Sequence, residues 1–144
     1  FDHCIDYRAH ADVQAMSAAL KAACPAGIDG YFENVGGYIL DAVLLRMNAF
    51  GRIALCGMIA GYDGQPLPMA NPALILINRL KLQGFIVSEH MEVWQHALAE
   101  LSDLVQLGKL RPRESVAQGL AAAPEAFLGM LKGKNFGKQL VKLI

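Results

Sequence analysis

The chain has 144 residues, 54% of them hydrophobic and 18% charged, enough apolar side chain to bury one sizeable core. Thirteen basic and thirteen acidic residues cancel to a formal net charge of zero and form no blocks, so the electrostatic footprint of a nucleic-acid or anionic-membrane binder is absent. Cys4, Cys24 and Cys56 have neither structural-zinc spacing nor the even count of a disulfide framework, and no apolar run is long enough to span a bilayer. A cytoplasmic protein acting on a small ligand is the expectation.

Residues Phe1-Asp2-His3-Cys4-Ile5-Asp6-Tyr7 read as a strand; the chain opens inside it with Phe rather than Met and is expected to be the later part of a longer protein. Asp12 can cap a helix on which Val13, Met16, Leu20 and Ala23 recur at helical spacing, and Cys24-Pro25-Ala26-Gly27 breaks it. A strand follows at 28–32, then a helix at 38–47 with Ile39, Leu40, Val43, Leu44 and Met47 on one stripe, stopped at 48–51 by an αL-type cap. The next strand is 52–56. Residues 60–69 form a Gly/Pro-rich loop, long for a connection between strand and helix, which marks it as a working loop. Asn71-Pro72 starts a helix, and the apolar Leu74-Ile75-Leu76-Ile77 is expected to be buried under that loop or to form a subunit contact.

A strand at 81–87 leads to an amphipathic helix with Trp94, Ala97, Leu98, Leu101, Leu104 and Val105 facing inward, ended by Gly108. A short extended piece at 114–117, a helix opened by Pro124 and a strand at 139–144 complete the chain. Alternation of strand and helix with near-continuous apolar strands predicts an α/β fold: a Rossmann-like, doubly wound parallel sheet covered on both faces. In the spatial order 3-2-1-4-5-6 the strands would be the third to the sixth, so the first two strands and the glycine-rich phosphate turn would be missing and the sheet would be interrupted at its middle. Residues 1–110 are expected to be a partial dinucleotide-binding domain, and 111–144 a tail belonging to a different domain.

Ligands of such sheets bind outside the carboxyl ends of the strands. There the chain places Asn34-Val35-Gly36-Gly37, Cys56-Gly57 and Gly84-Phe85-Ile86-Val87. No Ser-His-Asp set, HExxH or metal-spaced Cys/His cluster is present, and His3, His10, His90 and His96 read as structural or solvated. A site of backbone amides, Asn and Tyr suits chemistry whose hard step belongs to a cofactor. Tyr62 is the side chain placed to deliver a proton or polarise a substrate oxygen. Singly, each feature also has a plain reading: a positive-φ turn at Gly36, a small buried residue at Cys56, a surface aromatic at Tyr62, a helix cap at Gly133 and a turn at 135–137.

In order and spacing, Glu33-Asn34-Val35-Gly36-Gly37, Leu55-Cys56-Gly57-Met58-Ile59 with Tyr62, Gly84-Phe85-Ile86-Val87 and Gly133-Lys134-Asn135-Phe136-Gly137-Lys138 resemble the zinc-independent double-bond reductases of the medium-chain dehydrogenase/reductase superfamily. That group includes prostaglandin, 2-alkenal and curcumin reductases. The resemblance covers essentially the whole chain, and it implies that 111–144 packs with a missing N-terminal GroES-like catalytic domain. It implies reduction of the C=C bond of α,β-unsaturated ketones or aldehydes, with hydride passing from NADPH to the β-carbon and a proton to the α-carbon.

By the same resemblance Tyr7 lies near the adenosine, Asn34 under the nicotinamide-side ribose, and Cys56, Gly57, Met58, Ile59 and Tyr62 in the loop around the nicotinamide ribose and diphosphate. Phe85, Ile86 and Val87 meet the carboxamide through their backbone, and Asn135 closes over the cofactor. The family pairs subunits through the last strand, here 83–88, which implies a homodimer. A quinone reductase of the same superfamily and a non-catalytic cofactor-binding relative are the alternative readings.

Overall fold

A computed structural model describes all residues, 1–144, and shows two compact units, Phe1–Glu89 and His90–Ile144. The division falls ahead of the amphipathic helix, whereas the sequence reading set the domain boundary after it.

In the first unit Asp12 caps α1 (Val13–Ala23) by accepting the Ala15 amide at 2.8 Å, as its sequence predicts. Three strands, β1 (Ile28–Glu33), β2 (Met47–Leu55) and β3 (Lys81–Gly84), form a parallel sheet in the order β1-β2-β3, with α2 (Gly37–Leu44) and α3 (Ala73–Ile77) in the connections. Tyr31, Ile53 and Leu82 lie in register across it. They share one face because strand side chains alternate. That face packs on Leu40, Val43 and Leu44 of α2 and on Leu74 and Ile75 of α3, and this is where the core sits. The opposite face carries Phe32, Ala54 and Gln83 in register, and Phe32 there is 59% exposed.

Several expected elements differ. Residues Phe1–Asp6 form no strand, since no strand of this chain pairs with them; a 3-10 turn (Tyr7–Ala9) follows, and the expected interruption of the sheet does not arise. The helix predicted to reach Met47 stops at Leu44, because Met47 already pairs with Ile28. Its supposed cap, Asn48 to Gly51, is instead a bulge inside β2: the register jumps from Ile28–Met47 to Gly30–Arg52. Phe50 takes φ 65° there, under the Arg79 guanidinium at 4.5 Å, and the Asn48 amide donates to Ala26 O and Asp29 Oδ1. No side-chain cap bond comes from Asn71, and β3 ends at Gly84 rather than 87. Leu74 and Ile75 join the core while Leu76 and Ile77 face out.

The second unit holds α4 (Trp94–Gln106), β4 (Glu114–Gln118) parallel to β5 (Lys138–Lys142), and α5 (Ala123–Leu131), which packs on β5 and has Pro124 in its first turn. The stripe of Trp94, Leu98, Leu101 and Val105, expected to face inward, is exposed. Periodicity shows that a helix has an apolar face, not what covers it.

Within β1, Tyr31 is half-buried, and burial, aided by the Glu33 carboxylate beside it, pushes its phenol well above the ordinary value near 10. A raised folded-state pKa favours the fold fully below the unfolded value and loses that contribution as pH climbs above it. Urea midpoints taken at about pH 9 and about pH 11 should therefore fall more for the wild type than for Tyr31→Phe. Equal falls in the two proteins refute this.

Candidate functional site

The tips of β1 and β2 are knitted by main-chain bonds. Glu33 O accepts from the amides of Cys56 at 2.9 Å and Gly57 at 3.1 Å, Asn34 O from Ile59, and Val35 O from Ala60. The turn between β1 and α2 depends on Gly36, which takes φ 77° and ψ −164° and serves as the N-cap with no side chain of its own. The long loop folds back over this turn: Leu67 lies against Gly36, Gly37 and Gly61, and Asp41 Oδ1 accepts from Ala70 N at 2.9 Å. A Cβ on Gly36 or Gly61 would crowd the Leu67 side chain, so bare backbone at those two positions is what lets the loop close down.

Around Gly57 the expected site residues converge. An added Cβ there would lie 3.3 Å from Tyr62 Oη and 3.6 Å from Asn34 Oδ1, so the phenol and the amide flank one bare stretch of backbone. Both side chains are exposed, and Tyr62 follows a 3-10 turn (Ile59–Gly61). Next to them a hollow of about 330 Å³ opens between the tips of β2 and β3, lined by Cys56, Gly57, Met58, Gly84, Phe85 and Ile86 among others. The Phe85 ring stands edge-on to Phe32, with centroids 5.8 Å apart. The Ile86 amide donates to Glu89 Oε2 at 2.9 Å, which fixes the backbone after β3.

Asn34, Cys56, Gly57, Met58, Ile59, Tyr62, Phe85 and Ile86 thus gather at one edge of the sheet. Val87 follows as an exposed residue opening the 3-10 stretch Val87–Val93. Tyr7 is tied to the first turn of α2, where Tyr38 Oη donates to its carbonyl at 3.2 Å, and its neighbour Arg8 lies over its ring. Asn135 belongs to the second unit. There its side chain donates to Gly137 O at 2.7 Å and helps line a separate hollow of about 320 Å³ with Ser115, Glu125, Lys134 and Gln139. Two participants escape a reading of the sequence. Leu67 gave no signal, whereas Glu33, a lone carboxylate ending an apolar strand just ahead of Asn-Val-Gly-Gly, could have been found as a partner for the amides of that turn.

A parallel sheet with its connecting loops gathered at the carboxyl ends of the strands defines part of a Rossmann-like dinucleotide-binding fold. The chain belongs to the zinc-binding dehydrogenase family, whose model matches residues 1–141, within the medium-chain dehydrogenase/reductase superfamily. Prostaglandin reductase 1 of Rattus norvegicus is 43% identical over 99% of this chain and 43% of its own length. The NADP(+)-dependent 2-alkenal reductase of Nicotiana tabacum is 42% identical over 98% of the chain and 40% of its own length. Among solved structures, CurA of Vibrio vulnificus in complex with NADPH matches with a TM-score of 0.86 and 40% identity, over 100% of this chain and 44% of that one.

The resemblance read from the motifs therefore holds, and so does the fold class. The chain spans less than half the length of these relatives. The zinc in the family's description finds no fit in these residues: no three His, Cys, Asp or Glu side chains assemble, and all three cysteines are free. No helix is long and apolar enough to cross a membrane.

Proposed function

We propose that these residues form the cofactor-binding part of an NADPH-dependent reductase that saturates the C=C bond of α,β-unsaturated ketones and aldehydes. The observation that carries this reading is the convergence of Asn34 and Tyr62 on the bare backbone of Gly57, a cradle that any side chain at position 57 would fill. The names of the relatives, a 2-alkenal reductase and a prostaglandin reductase, support the substrate class, and the CurA complex supports the cofactor.

The bound cofactor supplies the hydride. Asn34 would hold its ribose, the backbone at Phe85, Ile86 and Val87 its carboxamide, and the 56–62 loop its ribose and diphosphate, while Tyr7 would lie at the adenosine. Tyr62 is assigned the proton that the α-carbon needs, or the polarisation of the substrate oxygen that makes the β-carbon electrophilic. β3 lies at the edge of its sheet, followed by exposed Ile86 and Val87, which supports pairing of two copies through 83–88 into a homodimer.

The test is loss of absorbance at the reduced-nicotinamide band, with the protein carrying these residues mixed with an enone, with a quinone, or with no acceptor. Oxidation of NADPH with the enone is expected. Turnover with the quinone alone would reassign the chain to a quinone reductase, and binding without turnover would leave it an idle relative.

A further inference from the structure

Glu33 ends β1 with 0% of its surface exposed, an expensive position for a carboxylate unless the group is used. Its Oε1 accepts from the amide of Val35 and, at 3.0 Å, from that of Gly36, two main-chain donors of the turn that leads into α2. Its main-chain carbonyl holds the Cys56 and Gly57 amides of the neighbouring loop. Its second oxygen, Oε2, is buried and makes no hydrogen bond although the Tyr31 phenol lies beside the carboxylate, so the side chain's hydrogen bonds are those at Oε1.

We propose that Glu33 is the positioning residue of the site: one buried side chain that accepts the Val35 and Gly36 amides and thereby sets Asn34 against the Gly57–Tyr62 loop. This rests on the reading of Asn34 and Gly57 as cofactor ligands. Since the hold is exerted through an acceptor at Oε1 and not through the unpartnered oxygen, what matters is the acceptor more than the charge. Glu33→Gln keeps an oxygen there at the same size, whereas Glu33→Met fills the volume and offers none.

In the protein carrying these residues, Glu33→Met is expected to weaken NADPH binding about tenfold, the loss of charge-assisted hydrogen bonds that order a ligand-bearing turn, with kcat at saturating cofactor within about twofold. Glu33→Gln should restore affinity to within about threefold. Amide hydrogen exchange at Asn34, Val35 and Gly36 should quicken in the Met variant and not in the Gln variant.

Equal affinity and equal exchange in the two variants overturn the proposal. So does a fall in kcat that merely follows the folded fraction, or failure of both Glu33→Met and Glu33→Ala to fold while Glu33→Gln folds, since each marks a purely structural role. Should the wild type bind no NADPH, it is the functional reading that fails, and the exchange data alone then decide the role of Glu33.

Discussion

Gly36→Ala should lower the stability of the first unit by about 3 kcal/mol, the upper end of the cost of holding a side chain in a backbone region that essentially only glycine occupies. At φ 77° and ψ −164° the new Cβ strains the chain wherever its neighbours stand, and it would also lie 3.0 Å from Leu67 Cδ1 and 3.3 Å from Met58 Cε. Relief of the steric part is open only to Leu67 and Met58, and moving them lifts the loop from the turn. The strain part has no relief short of re-forming the β1–α2 connection, which carries Asn34.

Gly30→Ala is the matched control. That residue sits in β1 with nothing within 4 Å of an added Cβ, and its φ lies outside the left-handed region. A strand alanine should leave stability within about 1 kcal/mol of the wild type or raise it. Urea denaturation of the two variants compares like with like; a Gly36→Ala midpoint beside that of Gly30→Ala contradicts the argument.

Such features are legible in a sequence because they are local. Asp12 ahead of an apolar 3.6-residue pattern, and Asn34-Val35-Gly36-Gly37 at the end of an apolar run, each state their geometry within a few residues, and both are found where the pattern puts them. Residues 1–7 fail for the complementary reason. Residue types can mark a segment fit for a ladder, but a strand exists only where another strand supplies its hydrogen bonds. Asn48 to Gly51 fail differently, since turn-forming residues serve a helix end and a β-bulge equally well and only the pairing of Met47 with Ile28 decides between them. Glu33 is legible only in part: its place at the end of an apolar strand singles it out, but a carboxylate reads as surface until the amides of Val35 and Gly36 are seen to converge on it.

Tyr62→Phe should lower kcat with an enone about a hundredfold, the lower end of what a positioned general acid contributes, or about 2.7 kcal/mol of activation free energy. The variant keeps the ring, and with it the packing at the end of the 3-10 turn, while removing the hydroxyl that stands 3.3 Å from the Gly57 Cβ position. The cofactor contacts assigned to Asn34 and to the backbone are untouched, so KM for NADPH should stay within about twofold.

This split separates two ways in which the loop could work. If Tyr62 only shields the crevice from water, losing one oxygen from an already exposed phenol changes neither constant. If it gives its proton to the α-carbon, or holds the substrate oxygen as negative charge gathers there, the loss falls on kcat alone because the interaction is made in the transition state and not in the ground state. A kcat within twofold of the wild type would remove Tyr62 from the chemistry and hand the proton to solvent entering beside Gly57.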